Sequence, residues 1–133
     1  SYEWVLSNAG MLDDPQQWQD FYGDRPMWVF THRELPAIPG ANLEFVSGDV
    51  APVHDRMLAA AGGKDVWIMG GGELAGQFAD RGLLDEVRFS VAPATLPGGA
   101  PLLPRRLTAS RLELITVKQN GQLAELTYRV AKP

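Results

Sequence analysis

The stretch Val66-Trp67-Ile68-Met69-Gly70-Gly71-Gly72-Glu73-Leu74-Ala75-Gly76-Gln77-Phe78 constrains the fold most, because a buried-strand pattern runs through three glycines directly into a helical pattern. Glycine has no Cβ, so the backbone can take positive φ and come close to a ligand. The first turn of the following helix points unpaired N–H groups and the positive end of its dipole outward. Strand, glycine turn and helix in that order make an anion cradle whose natural occupant is a diphosphate. The spacing completes neither short phosphate motif: Ala75 stands where the dinucleotide fingerprint has its last Gly, and the GK[ST] of a P-loop is missing. Taken alone, the turn reads either as an anion site or as a plain tight turn.

The surroundings supply context. Tyr2 to Ala9 predicts a short helix with Ser1 as N-cap, stopped by Gly10. Asp14 as N-cap, Pro15 at the first helical position and the apolar Trp18, Phe21 and Tyr22 predict a second. Met27 to Thr31 and Leu43 to Ser47 read as short buried strands separated by the turn-rich Leu35 to Gly40. Asp55 to Ala61 predicts a helix ended by Gly62-Gly63, and Val66 to Met69 the next strand. Strands alternating with helices imply a mostly parallel central sheet with helices on both faces. The last third alternates differently: Val87, Phe89 and Val91 point one way, and Leu112 to Val117 and Leu123 to Val130 flank Asn120-Gly121, a strong hairpin signal. An antiparallel C-terminal hairpin therefore closes an α/β fold. Pro93 to Pro104 is left as a long proline- and glycine-rich loop, an interface arm or a flap.

With 133 residues, 45% of them hydrophobic, the chain reads as one domain, 1–133, able to bury a core. A formal charge of −4 argues against a general nucleic-acid or anionic-membrane surface, so an anion site has to be local. There is no cysteine, hence no disulfide, no thiolate nucleophile and no cysteine-type zinc cluster. No stretch approaches the roughly 20 apolar residues of a membrane-spanning helix, and a cytoplasmic location is the expectation. Two separated histidines do not make a metal site. His54 precedes the helix at 55–61 and reads as a surface residue. Asp13-Asp14 beside Pro15 reads as a helix cap before it reads as a catalytic carboxylate pair. No serine sits in a nucleophile elbow, and the four tryptophans lie in apolar patterns that suggest core or interface.

The glycine turn, the following Gly82-Leu83-Leu84-Asp85-Glu86-Val87 and the antiparallel end resemble the dihydrofolate-reductase-like superfamily. Val91-Ala92-Pro93 and Pro97-Gly98-Gly99-Ala100-Pro101-Leu102-Leu103 make the chain most similar to the reductase, C-terminal domain of bacterial riboflavin biosynthesis and its stand-alone relatives. The resemblance implies a three-layer fold and an NADPH-dependent reductase. Its expected substrate is a small heterocycle such as a pteridine or dihydrofolate, or a ribosylaminopyrimidine. It assigns the cofactor pyrophosphate to Met69, Gly70, Gly71, Gly72, Glu73, Leu74 and Ala75, with the Gly70–Gly71 peptide cis. The adenosine ribose and its 2′-phosphate fall to Phe30, Thr31, His32 and Arg33, where a hydroxyl and a planar guanidinium fork favour NADPH over NADH. Ser47, with Gly48 and Asp49, borders the adenine, although Ser-Gly-Asp also suits any turn or helix entry.

Ser1-Tyr2-Glu3 matches the end of a family phrase that opens a phosphate-capping helix. The first strand and the loop that precede that phrase in the family do not stand in this sequence, so the chain reads as N-terminally incomplete. A sheet edge left open in this way is prone to aggregation. No catalytic residue can be assigned, because the family's substrate-side residues belong to that segment. The resemblance also implies a homodimer, with the proline-rich arm and the hairpin as candidate contacts. Alternatives in other classes are a non-catalytic nucleotide-binding protein and a structural subunit of an oligomer.

Overall fold

The computed structural model describes residues 2–132. Ser1, the expected cap and cofactor contact, lies outside them. The chain divides into two compact units, Ser1–Met69 and Gly70–Pro133.

The first unit holds α1 (Tyr2–Asn8), α2 (Gln16–Tyr22), β1 (Met27–Phe30), β2 (Leu43–Val46) and α3 (Val50–Ala61). Strands β1 and β2 pair in parallel, with Phe30 opposite Val46 and the Thr31 N–H donating to the Val46 carbonyl at 2.9 Å. Tyr2, Met11, Trp18 and Ile38 form the buried cluster, against which Val29, Leu43 and Phe45 of the strands pack. The Tyr2 ring meets Phe45 edge-on at 5.6 Å, and its hydroxyl donates to the Pro36 carbonyl at 2.6 Å, so burial of the ring leaves no polar atom wanting. Burial also pushes the Tyr2 hydroxyl pKa up. Of the four tryptophans only Trp18 is core; Trp4 and Trp67 are exposed and Trp28 is half-buried.

Two helix starts differ from expectation. Helix α3 begins five residues before Asp55, because Asp49 caps it: its carboxylate accepts the Ala51 N–H at 3.3 Å, and Pro52 fits the first turn, where no N–H is needed. His54 is therefore half-buried inside α3 rather than ahead of it. For α2, Pro15 takes the cap position with helical dihedrals, and Asp14 instead receives the side-chain amide of Gln17 at 3.2 Å.

The second unit holds α4 (Gly72–Asp80), β3 (Glu86–Val91), β4 (Leu112–Asn120) and β5 (Leu123–Val130). The three strands form an antiparallel sheet in the order β3-β5-β4. Phe78, Leu84 and Val130 are its buried apolar residues. The hairpin turns one residue later than Asn120-Gly121 suggests. Asn120 stays in the ladder opposite Leu123, and Gly121, at φ +59°, takes the first central position, where a type II′ turn wants glycine.

Ladders join the strands into a parallel pair and an antiparallel triplet. Residues 66–69, expected as a strand, belong to neither, since a strand is defined by a hydrogen-bonded neighbour and none runs beside them among the described residues. The alternation persists nonetheless: Val66 and Ile68 are half-buried, while Trp67 and Met69 are 76% and 45% exposed.

Candidate functional site

In the second unit, the triple glycine does what its sequence demands. Gly70 takes φ +129°, a value closed to L side chains, and the Gly70–Gly71 peptide is cis as the resemblance implies. Gly71 is the N-cap of α4, and having no side chain it forms no cap hydrogen bond. The first intrahelical bond runs from Ala75 N–H to the Gly71 carbonyl at 3.1 Å, so the N–H groups of Gly72, Glu73 and Leu74 precede the ladder. A Cβ built on Gly71 meets nothing within 4 Å, and the approach to this helix end is open on that side. These residues fit a diphosphate: donors, dipole and space coincide.

Gly72 serves a second purpose. A Cβ there would come within 2.3 Å of the Leu102 carbonyl oxygen and 3.1 Å of that of Pro101, so the proline-rich segment crosses directly over the helix start. Gly76, one turn on, seats Arg105 in the same way. The Arg105 guanidinium forms two hydrogen bonds to the Glu73 carboxylate, at 3.0 and 3.2 Å, and one to Asp80 at 2.8 Å. These bonds hold both carboxyls below the usual carboxylate range and raise the guanidinium pKa. One consequence bears on the site. Glu73 would place negative charge beside an incoming anion, but Arg105 compensates that charge, leaving Glu73 to contribute its backbone N–H.

In the first unit, the parallel register brings Thr31 and Ser47 to the same sheet edge, each one residue past its strand. Phe30 and Thr31 are half-buried; His32, Arg33 and Ser47 are exposed. The Thr31 hydroxyl accepts the Arg33 N–H at 3.0 Å and keeps its own proton to donate. The Arg33 guanidinium pairs with Glu3 of α1 at 2.6 Å. Asp49 fills its alternative role as a helix cap. The C-terminal edge of parallel strands is where α/β sheets receive ligands, and the start of α3 lies at that edge.

Sequence reasoning missed the Arg105 clip and the partnership of Glu3 with Arg33. A mid-helix glycine flanked by Glu73 and Asp80 does signal close approach, but nothing local points to a residue 25 or more positions away. Among the described residues no group of three or more His, Cys, Asp or Glu could hold a metal ion, and no helix is long and apolar enough to cross a membrane.

A family model for the RibD C-terminal domain matches residues 5–124. The chain belongs to the RibD C-terminal domain family. Among curated proteins it is 30% identical over 107 residues to the uncharacterized protein YwjB of Bacillus subtilis (strain 168), covering 80% of this chain and 60% of that protein. The uncharacterized protein YyaP of the same organism is 27% identical over 85 residues, covering 59% of this chain and 45% of its own length. The matches thus span about half the length of these relatives. A solved protein of Shewanella sp. PV-4, whose name refers to riboflavin biosynthesis, superposes with a TM-score of 0.65 at 22% identity, over 92% of this chain and 71% of its own. A pyrimidine reductase-like protein from Corynebacterium diphtheriae gives 0.52 at 21% identity, over 71% and 41%. The RibD C-terminal domain chain has the dihydrofolate-reductase-like α/β fold that the glycine turn and hairpin imply, and its family is reductase-like.

Proposed function

We propose that this RibD C-terminal domain chain is an NADPH-dependent reductase that delivers hydride to a small heterocyclic or ribosylaminopyrimidine acceptor. The observation that carries the reading is the start of α4: Gly71 caps the helix without a side chain, open space lies beside it, and the following N–H groups precede the helical ladder. That is a diphosphate seat, and in a reductase family the diphosphate is that of a nicotinamide cofactor. Thr31 and Arg33 at the β1 end supply the hydroxyl donor and planar fork that suit a 2′-phosphate. Bound there, the cofactor would supply the hydride. The chain's own residues bind and orient it and need no nucleophile.

Tryptophan fluorescence tests this, with Trp67 three residues before Gly70 as a reporter. Titration with NADPH and with NADH should show quenching or energy transfer, with NADPH the tighter. No response to either up to millimolar concentration removes the cofactor assignment, and equal affinities remove the 2′-phosphate role of Thr31 and Arg33. Turnover of dihydrofolate against that of the deaminated riboflavin pyrimidine then identifies the acceptor.

A further inference from the structure

Arg105 decides where the Glu73 carboxylate can go. Cα–Cβ bonds in a helix tilt toward its N-terminus, and Glu73 stands at the second position of α4, after Gly72. An unrestrained carboxylate there leans over the N–H groups of Gly72, Glu73 and Leu74, which precede the helical ladder. It has the right charge for that end of the dipole, and the Gly71 cap brings no side-chain acceptor to compete with it. In the structure it is drawn the other way. The Arg105 guanidinium lies over Gly76, further along α4, within 3.0 Å of the position a Cβ would take there. From that seat it bonds both Glu73 oxygens, at 3.0 and 3.2 Å, and is itself anchored by Asp80 at 2.8 Å and by the Pro104 carbonyl at 2.7 Å. The Arg105 side chain is 24% exposed and that of Glu73 64%, so the cation is the fixed partner and the carboxylate the one with room to move.

We infer, on the reading of the α4 start as a nucleotide seat, that Arg105 is a positioning residue: it restrains Glu73, a tethered anion that otherwise folds back onto the first turn of α4 and takes the N–H groups itself. The seat then has two states. With Arg105 in place, Glu73 is held along the helix and the N–H groups face a phosphate. With Arg105 lifted away, the chain supplies its own anion and repels that of the nucleotide. The other charge acting on Glu73 is Asp80, beyond the neutral amide of Gln77. It has the same sign, so once Arg105 leaves it adds to the drive toward the helix start. The loop after β3 leads into this arginine, so its detachment shuts the seat with the glycines unchanged.

Titration of the full chain with NADP+, followed by tryptophan fluorescence, tests the restraint. Arg105→Met keeps the stem beside Gly76, and loss of an exposed clip does not decide whether the chain folds. It should weaken binding about fivefold, the upper end of what one charge is worth at an exposed helix N-terminus. Adding Glu73→Ala should restore affinity to within about twofold of wild type, because the tethered anion is gone. Asp80→Asn loosens the same arginine but leaves Glu73 held, and should bind as wild type does. Nuclear magnetic resonance gives a reading that needs no nucleotide. In Arg105→Met the amide protons of Gly72, Glu73 and Leu74 should move downfield, as amides bonded to a carboxylate do, and return as pH falls and Glu73 takes up its proton. With Glu73→Ala added, neither change should occur. An unweakened Arg105→Met, a loss that Glu73→Ala does not restore, an equal loss in Asp80→Asn, or first-turn amides that ignore Glu73 each overturns the restraint. Failure of the nucleotide reading is distinct: the wild type then binds no NADP+, while the amide shifts still decide whether Arg105 restrains Glu73.

Discussion

The guanidinium of Arg105 occupies the space in which Gly76 would carry a Cβ: that atom would lie 2.8 Å from Cζ and 3.0 Å from Nε and Nη1. Glycine in the middle of a nine-residue helix ordinarily costs about 1 kcal/mol against alanine, so its presence in α4 is offset by what it admits. The long loop after β3 is thereby fastened along α4, with Glu73 and Asp80 at either end of the clip.

Gly76→Ala should therefore lower Tm by a few degrees, although alanine is the better helix former. In an Arg105→Ala background the sign should reverse, with Gly76→Ala adding about 1 kcal/mol as propensity alone requires. Thermal unfolding of the four proteins of the cycle checks this. The same sign in both backgrounds would mean that Arg105 does not need the glycine.

The Arg105 hydrogen bonds depress the Glu73 and Asp80 pKa values, so their stabilisation is complete above the unfolded-state values of about 4 and is lost as pH falls through the lower folded values. The stability difference between wild type and Arg105→Met should be constant above about pH 5 and shrink steadily below it. Because both carboxylates face solvent, added salt should reduce the difference. Denaturant unfolding across that pH range reads the effect, and a gap that persists unchanged at acid pH would assign it to packing of the Arg105 stem.

Gly71 and Gly72 should respond oppositely to the same substitution. Gly71 has φ −87° and open space at its Cβ position, so Gly71→Ala should leave stability within about 0.5 kcal/mol and act only on a bound nucleotide. Gly72→Ala drives a methyl into the Leu102 backbone, which cannot rotate away, and should cost about 1–3 kcal/mol and expose the 93–104 loop to protease. If Gly71→Ala binds NADPH as tightly as wild type, the phosphates do not approach that backbone.

Local chemistry was legible wherever a residue acts on its chain neighbours. The glycine turn, the parallel β1–β2 pair and the β4–β5 hairpin follow from run length, glycine placement and alternation. The early start of α3 was hidden because Pro52 looks like a breaker when it is in fact a tolerated first-turn residue. Residues 66–69 carry a strand pattern without a ladder, because alternation encodes burial and a ladder needs a second segment. Burial of Ile38 inside a turn-rich segment, the seating of Arg105 on Gly76 and the bulge at Ile115 depend on partners distant in sequence, which periodicity does not register.

The Glu3–Arg33 pair yields the sharpest test of nucleotide choice. Glu3 Oε1 accepts from Arg33 Nη1 at 2.6 Å, with both side chains more than half exposed, so the pair is weak and easily exchanged for another anion. A 2′-phosphate bound at the β1 end must compete with that carboxylate for the guanidinium fork, whereas NADH has no group that does so. Glu3→Gln should tighten NADPH by up to about fivefold, the range set by an exposed ion pair, and leave NADH unchanged. Arg33→Leu should weaken NADPH alone and bring the two nucleotides together. If Glu3→Gln instead weakens NADPH, the carboxylate holds Arg33 in its binding pose and does not compete with the phosphate, an outcome that the paired titrations separate directly.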